Sequence, residues 1–266
     1  MRNSSKNKKS RGLFWWIGIL ISTCMMVGGI LCFLQYFKES KDARDLYTEI
    51  AEIHDKYSNI VENTEVIIGS SLTEKDFLDE CKELYEINDD IVGWICFPET
   101  TINYPVMQTS LSNRDYYLYR DFYKRSNKYG CIYAAEDCDV FEPSDNVTLY
   151  GHHMGDGSMF AGLDAYKDKE YWEGHQTFTF DTLYEHHIYQ IISVFKISAD
   201  DDSFRYHMFT DALDEEEFNE FIANIKSRQF YETEIPVEYG DKIVCLSTCE
   251  YTLYNGRFVV VGKRIS

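Results

Sequence analysis

The sequence lacks an excess of positive charge, and this absence limits the partners it can have. Lys and Arg number 26 against 45 Asp and Glu, which gives a formal net charge of −19 at pH 7. A surface of this sign repels a phosphate backbone, so nucleic acid is not expected as a partner. We expect the excess of acid to form an ordinary solvated surface.

The eight cysteines include no Cys-x-x-Cys pair, which leaves a zinc ribbon or a thioredoxin-like redox motif unsupported. The adjacent His152 and His153 would point in different directions on an extended chain, and no third clustered ligand accompanies them. We therefore expect no metal site. The spacing of Cys131 and Cys138 permits a disulfide but does not establish one.

Charge is absent from one long stretch, the apolar run of 22 residues from Leu13 to Leu34. As a helix it would span ~33 Å, about the thickness of a bilayer core. The leader, residues 1–12, is basic, which places it in the cytoplasm and the chain after Lys38 outside the cell. A cleaved signal peptide is the rival, but its apolar region usually has about 7 to 15 residues, and no A-x-A-like cleavage site follows. The sequence predicts an uncleaved single-pass membrane anchor over residues 13–34.

Apolar residues three and four positions apart predict three further helices. The first is a proximal helix which, with a polar linker, occupies residues 35–72, and the second has Thr73 as a candidate cap. The third, a long helix from Asp211 to Arg228, lies between late strands, and Asp214 with Glu217 resembles a capping box. The inner-face residues are Leu46, Ile50, Ile53, Tyr57 and Ile60 in the first helix, Phe77, Leu78, Cys81, Leu84 and Tyr85 in the second, and Phe218, Phe221, Ile222 and Ile225 in the third.

Short runs rich in Val, Ile, Tyr and Phe alternate with turn signals from Ile91 onward, inside a domain predicted over residues 73–266. Eight such runs are enough to close a small barrel and remove its exposed edges. We predict a mainly β fold: a closed eight-stranded barrel with N-terminal flanking helices and one long helix between late strands. The runs are "IVGWICF", "TTINYPV", "GCIYAA", "NVTLYGH", "TFTFDT", "HIYQIISVFKIS", "KIVCLST" and "RFVVVGKRI".

The seventh run leads into the second of two cysteines, and alternation puts Cys245, Ser247 and Cys249 on one face of the strand. A buried thiol is usually an inert small hydrophobe, whereas a thiol at a loop mouth beside a cation ionises and attacks. We expect Cys245 to pack inside the barrel and Cys249 to lie at its mouth. Arg257 opens the next strand, and its fork of donors suits a developing oxyanion.

A nucleophilic thiol needs a partner that carries a proton, and histidine is the usual one. Among seven histidines, His152 and His153 stand where a strand ends and a glycine-rich loop begins, which is a common place for a site. These local features leave both histidines as candidates. The other five are expected on the surface, in strands or on the proximal helix: His54, His175, His186, His187 and His207.

The order histidine, cysteine, arginine in these local contexts resembles the sortases, cysteine transpeptidases of Gram-positive bacteria. The matching contexts are "LYGHHM", "LSTC" and "YNGRFVVVGKRI", together with a basic leader and one N-terminal apolar span. Over residues 74–266 the chain resembles class B of that family. The features behind this are two helical segments before the barrel, the long helix between late strands, and the stretches "NDDIVGWICFP", "INYPVMQ" and "YYLYRDFYKRSNKYGCIY".

The resemblance implies a role for each matched residue. Cys249 would attack the threonine carbonyl of a C-terminal sorting motif, of the NPxTx type or a related one, and form a thioacyl enzyme. His152 would act as acid and base, and Arg257 would stabilise the oxyanion. Ser247 and Glu250 match substrate-binding positions in the class B groove. The implied partners are surface proteins bearing a sorting signal and an amine of the peptidoglycan precursor, and no cofactor is implied.

Two other functions fit parts of the pattern. A papain-like peptidase also pairs cysteine with histidine, but its cysteine normally comes first and lies on a helix, which is the reverse of the order here. A non-enzymatic adhesion or pilus domain held by the N-terminal span would carry a C-terminal sorting signal and an apolar tail, and "GKRIS" is neither.

Overall fold

The computed structural model describes residues 6–61 and 77–266. The chain divides into two units, residues 1–46 and residues 47–266. Helix α1, Lys6–Val61, is one continuous helix of 56 residues that begins in the first unit and ends in the second. The predicted anchor and the predicted proximal helix therefore belong to the same helix.

Within the described residues, α1 holds the one stretch that is long and apolar enough to cross a membrane. The segment Phe14–Lys56 contains a window of mean hydropathy 2.4. Apolar side chains such as Trp15 and Leu20 are exposed along it, which is compatible with contact with lipid. Signal sequences share this composition. The linker at 62–76, including the predicted cap Thr73, lies outside the described residues.

Helix α2, Asp79–Ile87, is shorter than the pattern predicts. Phe77 and Leu78 precede it, because the Leu78 backbone is extended and its N–H donates to the Leu183 carbonyl at 2.8 Å. This bond holds the start of the segment against the chain that follows the fifth strand, and the helix begins at the next residue, Asp79. Cys81 and Leu84 are buried, as predicted.

The eight predicted strands are all present, and they close into a barrel in the order β1-β2-β3-β4-β7-β8-β6-β5. The predicted fold class is confirmed. The strands are β1 Ile91–Cys96, β2 Asn103–Met107, β3 Ile132–Ala134, β4 Asn146–Tyr150, β5 Thr177–Thr182, β6 Ile188–Ser198, β7 Ile243–Glu250 and β8 Gly256–Arg264. Between them lie the short helix α3, Lys169–Gly174, and 3₁₀ turns at Leu111–Asn113, Tyr116–Tyr119, Phe160–Lys167 and Tyr206–Met208.

The long helix between late strands, α4, covers Glu215–Arg228 and starts four residues later than predicted. Asp214 caps it by accepting from the Glu217 N–H at 3.0 Å, while the Glu217 carboxylate accepts from the Leu213 N–H at 2.7 Å. Asp211 lies before the helix because its carboxylate accepts from Ser144 Oγ and from the Asp145 N–H. These bonds tie the chain to the start of β4 instead of to a helical turn.

The apolar face of α4 packs against one face of β6, β7 and β8. An eight-stranded barrel encloses only side chains, so a helix packed on the wall must lie outside it. Cys245, which is fully buried, belongs to this outer core. The expectation that Cys245 packs inside the barrel is therefore wrong, although its burial is as predicted. The core comprises Ile192, Phe195, Ile197, Phe204, Tyr206, Phe218, Phe221, Ile222, Ile225, Ile243, Cys245, Val259 and Val261.

Candidate active site

A cavity of about 420 Å³ opens on the same outer face, beyond the part that α4 covers. It lies where β4 and β7 end and β8 begins, and the chain between β6 and α4 forms one side. Cys249, His152, Arg257 and Ser247 all line it. The complete lining is Asp115, Leu118, Tyr119, Tyr133, Tyr150, Gly151, His152, Ser198, Ala199, Asp201, Phe204, Tyr206, His207, Ser247, Thr248, Cys249 and Arg257.

The pairing of β7 with β8 places the thiol and the guanidinium together. The two strands are antiparallel, and Cys249 lies directly opposite Arg257. Directly opposite residues project from the same face of a sheet with their Cβ atoms about 4.5–5.5 Å apart. Cys249 and Arg257, which are eight positions apart in the sequence, are thus neighbours across the β7–β8 ladder.

Strand β4 brings the histidine to the same end of the wall. It runs parallel to β7, with Tyr150 in register with Ser247. The Gly151 N–H donates to the Ser247 carbonyl at 3.1 Å and extends this register by one residue. A Cβ on Gly151 would stand 2.5 Å from the Ile132 side chain, so glycine lets the chain turn toward the cavity here.

His152 follows this turn and is held by the segment 116–119. Its Nε2 lies 2.7 Å from the Leu118 carbonyl oxygen. Since a carbonyl oxygen only accepts, Nε2 is the donor of this bond. Nδ1 has no hydrogen bond to any residue of the described ranges, so it is the ring atom left for proton exchange in the cavity.

His153 points elsewhere and does not line the cavity. Its Nε2 lies 3.0 Å from Asp164 Oδ2, and Lys167 Nζ lies 2.8 Å from the other oxygen of that carboxylate. Partial burial works against the charge of Asp164, but hydrogen bonds from Lys167 and His153 lower its pKa. The structure therefore brings His152, and not His153, into the cavity that Cys249 lines.

Ser247 lies on the floor of the cavity and is buried. Its Oγ is 2.7 Å from the hydroxyl of Tyr206, a residue of the outer core. Burial raises the pKa of Tyr206, although the bond to Ser247 opposes the shift, so this phenol stays neutral. The Tyr206–Ser247 pair therefore links the outer core, which α4 covers, to the floor of the cavity.

Glu250 is not brought into this cavity. Its buried carboxylate accepts from the Thr252 N–H, the Thr252 hydroxyl and the Leu253 N–H at 2.7–3.0 Å. Burial opposes the charge, but these bonds lower the pKa of Glu250. The carboxylate thereby fixes the loop between β7 and β8, which forms a second, shallower cavity beside Cys249.

Arg257 makes only local contacts in this structure. Its Nη1 donates to the Gly256 carbonyl at 3.0 Å and to Asn255 Oδ1 at 3.3 Å. Over residues 6–61 and 77–266, no carboxylate forms an ion pair with it. Part of its fork of donors therefore remains available to a bound carbonyl group.

Four other cysteines, Cys81, Cys131, Cys138 and Cys245, are buried, whereas Cys96 is half-exposed like Cys249. All of them are free thiols, including Cys131 and Cys138, so the disulfide that their spacing permits is not formed. Burial raises the pKa of Cys81 and of Cys138 to about 12, and it raises the pKa of Cys245 as well. These thiols are held neutral, whereas Cys249 is half-exposed in the cavity.

Two parts of the cavity lining were not predicted from the sequence. His207 is expected on the surface or in a strand, yet it lines the cavity from the 3₁₀ turn at Tyr206–Met208. Asp115 and Tyr133 come from sequence-distant segments and are joined by a hydrogen bond of 2.7 Å. No local spacing signals these residues: loop segments place His207 and Asp115, and the pairing of β3 with β4 places Tyr133.

Comparison with protein families finds one match over most of the chain. The family model of the sortase domain matches residues 95–265. Sortase B of Listeria monocytogenes is 30% identical over 190 residues, which are 71% of this chain and 75% of that protein. Sortase B of Staphylococcus aureus is 34% identical over 186 residues, which are 69% of this chain and 74% of that protein.

Solved structures agree with these sequence matches. A complex of Bacillus anthracis sortase B with AAEK1 has a TM-score of 0.72 and 32% identity, and the match covers 86% of this chain and 99% of that one. A Staphylococcus aureus sortase B–substrate complex has a TM-score of 0.73 and 28% identity, with the same coverage. The residues matched by the family model include every residue that lines the cavity.

Proposed function

This chain belongs to the sortase family, as a class B member and a cysteine transpeptidase, and on this premise we propose that it cleaves C-terminal sorting motifs of the NPxTx type, or related ones, through a thioacyl intermediate on Cys249. One observation carries the proposal. Cys249, His152 and Arg257, from three separate elements, line a single cavity.

In the first half-reaction, the Cys249 sulfur attacks the carbonyl carbon of the motif threonine. His152 takes the proton of the Cys249 thiol on Nδ1 and, as the C–N bond to the next residue breaks, gives it to the departing amine. Arg257 lies opposite the nucleophile, and its free donors stabilise the oxyanion that forms during the attack. The products are a thioacyl enzyme and the released C-terminal peptide.

In the second half-reaction, an amine of the peptidoglycan precursor attacks the thioester carbonyl carbon. His152 takes a proton from this amine and passes it to the Cys249 sulfur as the C–S bond breaks, which restores the thiol. A new amide bond then joins the surface protein to the cell-wall precursor. No cofactor is invoked in this sequence, since in each half-reaction the proton of the nucleophile passes through His152 to the leaving group and no oxidation state changes.

Ser247 and Glu250 contribute to binding in different ways in this proposal. Ser247 contacts the peptide from the cavity floor, where its hydroxyl is held by Tyr206. Glu250 acts through the loop between β7 and β8, because its oxygens are occupied by Thr252 and Leu253.

The test measures cleavage of NPxTx and PPxTG peptides, and amine transfer, by the purified full chain in detergent. We expect Cys249→Ala to abolish turnover, while Cys96→Ala, the same change at another half-exposed thiol, keeps it. His152→Ala should abolish turnover and His153→Ala should retain most of it. Equal cleavage by Cys249→Ala and the parent would refute the mechanism.

We also propose that α1 anchors the enzyme as a single-pass protein, with the N-terminus in the cytoplasm and the barrel outside the cell. The apolar exposed stretch of α1 and the basic leader support this. Protease added to intact cells should digest the barrel and leave a tag at the N-terminus protected. Release of a soluble barrel without residues 1–34 would contradict anchoring and indicate a cleaved signal sequence.

Family membership does not favour the two other functions that fit parts of the sequence. A papain-like peptidase would carry its cysteine on a helix, whereas Cys249 lies on strand β7. A non-enzymatic adhesion domain leaves the common location of Cys249, His152 and Arg257 without an explanation.

A further inference from the structure

The part of α1 that belongs to the second unit packs against the barrel. Its residues Tyr47, Ile50 and His54 are three and four positions apart, so they share one face of the helix, and all three are buried. The His54 ring stacks on the Trp94 ring with centroids 4.1 Å apart. The Tyr47 ring stands edge-on to the Tyr104 ring at 5.3 Å. Packing on both rings fixes the position of Tyr47 relative to the barrel.

The hydroxyl of Tyr47 contacts the peptide unit that joins Gly130 to Cys131. It donates to the Gly130 carbonyl in a buried environment, and the Cys131 sulfur lies 3.4 Å away. The N–H of the same peptide unit donates to the Tyr117 carbonyl at 2.9 Å. A peptide unit is planar, so the orientation of its carbonyl also fixes that of its N–H. This peptide unit therefore links α1 to the 3₁₀ turn at Tyr116–Tyr119.

Gly130 also packs against the carbonyl that holds the histidine of the cavity. Its φ is +58°, a conformation that favours glycine, and a Cβ there would overlap the Tyr117 and Leu118 carbonyl oxygens. The Leu118 oxygen is the one that accepts from His152 Nε2 at 2.7 Å. A shift of the Gly130 backbone would therefore move the hydrogen-bond acceptor of His152.

The Leu118 carbonyl determines which ring nitrogen of His152 carries the proton. A neutral imidazole has one donor and one acceptor nitrogen, and an oxygen beside Nε2 favours the tautomer that is protonated there. Nδ1 is then the acceptor that takes the proton of Cys249 in the cavity. If the Leu118 carbonyl moved away, the ring would lose this preference and its fixed orientation.

We propose that Tyr47 is a positioning residue: through this peptide unit it fixes the Leu118 carbonyl, and with it the ring orientation and the tautomer of His152. The inference rests on the proposed function, because it takes His152 to be the proton carrier. It adds to that function a residue of α1, from outside the part of the chain that the sortase family model matches. Tyr47 does not line the cavity and acts only through other groups.

The first test removes the hydroxyl of Tyr47 and keeps its ring. Tyr47→Phe, measured as the full chain in detergent on the cleaved NPxTx or PPxTG peptide, should lower kcat about three- to tenfold, which is the effect of one hydrogen bond. KM should change little, because Tyr47 is not part of the cavity lining. A loss in KM alone would contradict a role in positioning His152.

Two other tyrosines provide matched controls. The buried Tyr166 donates to the His175 carbonyl at 3.0 Å and does not line the cavity, so Tyr166→Phe removes the same kind of bond elsewhere in the barrel. Tyr123 donates to Glu49 of α1 at 3.4 Å, so Tyr123→Phe removes a hydroxyl contact between α1 and the barrel that ends on a side chain. Both variants should keep a kcat near that of the parent, even where their unfolding temperature falls as far as that of Tyr47→Phe.

The tautomer of His152 gives a readout that a loss of stability does not move. At about pH 8, where an ordinary histidine is neutral, ¹⁵N NMR of histidine-labelled parent should show this ring protonated at Nε2. The signal is assigned by its absence in His152→Gln. In Tyr47→Phe, a larger share of the ring should be protonated at Nδ1. Gly130→Ala displaces the Leu118 carbonyl without altering α1, and it should give the same change with a larger loss of kcat.

The outcomes separate the inference from the proposed function. Parental kcat or a parental His152 tautomer in Tyr47→Phe or Gly130→Ala, whichever is folded, would overturn the inference and leave the proposed function intact. An equal loss of kcat in Tyr47→Phe and Tyr166→Phe would also overturn it, since the loss would then come from stability. Cleavage of no peptide by the parent, or unchanged cleavage by His152→Gln, would refute the proposed function.

Discussion

The outer face of β7 and β8 has a closed half and an open half. In the closed half, Cys245 and Val261 lie opposite each other beneath α4 and are fully buried. In the open half, Cys249 and Arg257 lie opposite each other in the same ladder and line the cavity. The strand geometry is the same in both halves. The cover over the face therefore decides whether a strand residue is part of the core or part of the site.

The two cysteines show the chemical result of this cover. Removal from water penalises the thiolate, and the pKa of Cys245 is raised for that reason alone. Cys249 is four residues further along the same strand and has Arg257 and His152 in the same cavity. One face thus supplies an inert packing thiol and a thiol open to substrate. The following predictions test this difference, from the largest expected effect to the smallest.

Thiol labelling should separate the two halves by orders of magnitude. At about pH 8, iodoacetamide should modify Cys249 in the folded protein and leave Cys81, Cys138 and Cys245 unmodified. With a pKa of about 12, about one in ten thousand of the Cys81 and Cys138 thiols is ionised at that pH, and this fraction grows only as the pH rises toward 12. Mass spectrometry of peptides reads the result. Labelling of Cys245 as fast as Cys249 without unfolding would contradict the picture, and urea should make all of them react.

Weakening the packing of α4 on the closed half should lower the stability of the protein. Phe218 of α4 is fully buried against the wall, so Phe218→Ala leaves a cavity and should reduce the free energy of unfolding by about 3–5 kcal/mol. Phe230→Ala is the matched control, since Phe230 is 39% exposed and should cost clearly less. Urea unfolding followed by tryptophan fluorescence gives both values. Equal losses at the two positions would mean that α4 is not a cover of the core.

Removing the cation of the open half should affect rate more than stability. Arg257→Gln should lower kcat about 10²–10³-fold, the usual effect of losing an oxyanion donor, with a smaller change in KM. Arg264→Gln changes the same residue type at the far end of β8 and should leave kcat near that of the parent. Steady-state kinetics on the cleaved peptide decide the point. A loss confined to KM would assign Arg257 to binding alone.

A polar group in the closed half should give the smallest of these effects. Cys245→Ser places a hydroxyl in an apolar environment and should cost about 1–3 kcal/mol of unfolding free energy. Cys96→Ser, at a half-exposed thiol of β1, should be nearly neutral. Thermal unfolding measured by circular dichroism compares the two. A neutral Cys245→Ser would show that the closed half admits water.

The barrel strands could be predicted well because their signal is local. Alternation in runs such as "NVTLYGH" and "RFVVVGKRI" reports a pleated strand whatever lies around it, and all eight strands are present. Element ends were predicted less well. Leu78 and Asp211 continue a helical pattern, but each is held in a non-helical place by a hydrogen bond to a distant segment, Leu78 to Leu183 and Asp211 to Ser144. Such competing partners are not visible in a local pattern.

The tertiary structure decides which face of a strand is outside and which residues become neighbours in the site. Alternation groups Cys245, Ser247 and Cys249 on one side of β7, but it does not say which side is outside or where α4 ends. The choice of His152 over His153 as the histidine in the cavity depends on Leu118 and Asp164, which hold the two rings apart. His207 enters the cavity through a turn that its local sequence does not announce. The physical reason is common to all three: strand periodicity is a property of consecutive residues, whereas burial, cover and hydrogen-bond partners depend on segments that meet only in the folded chain.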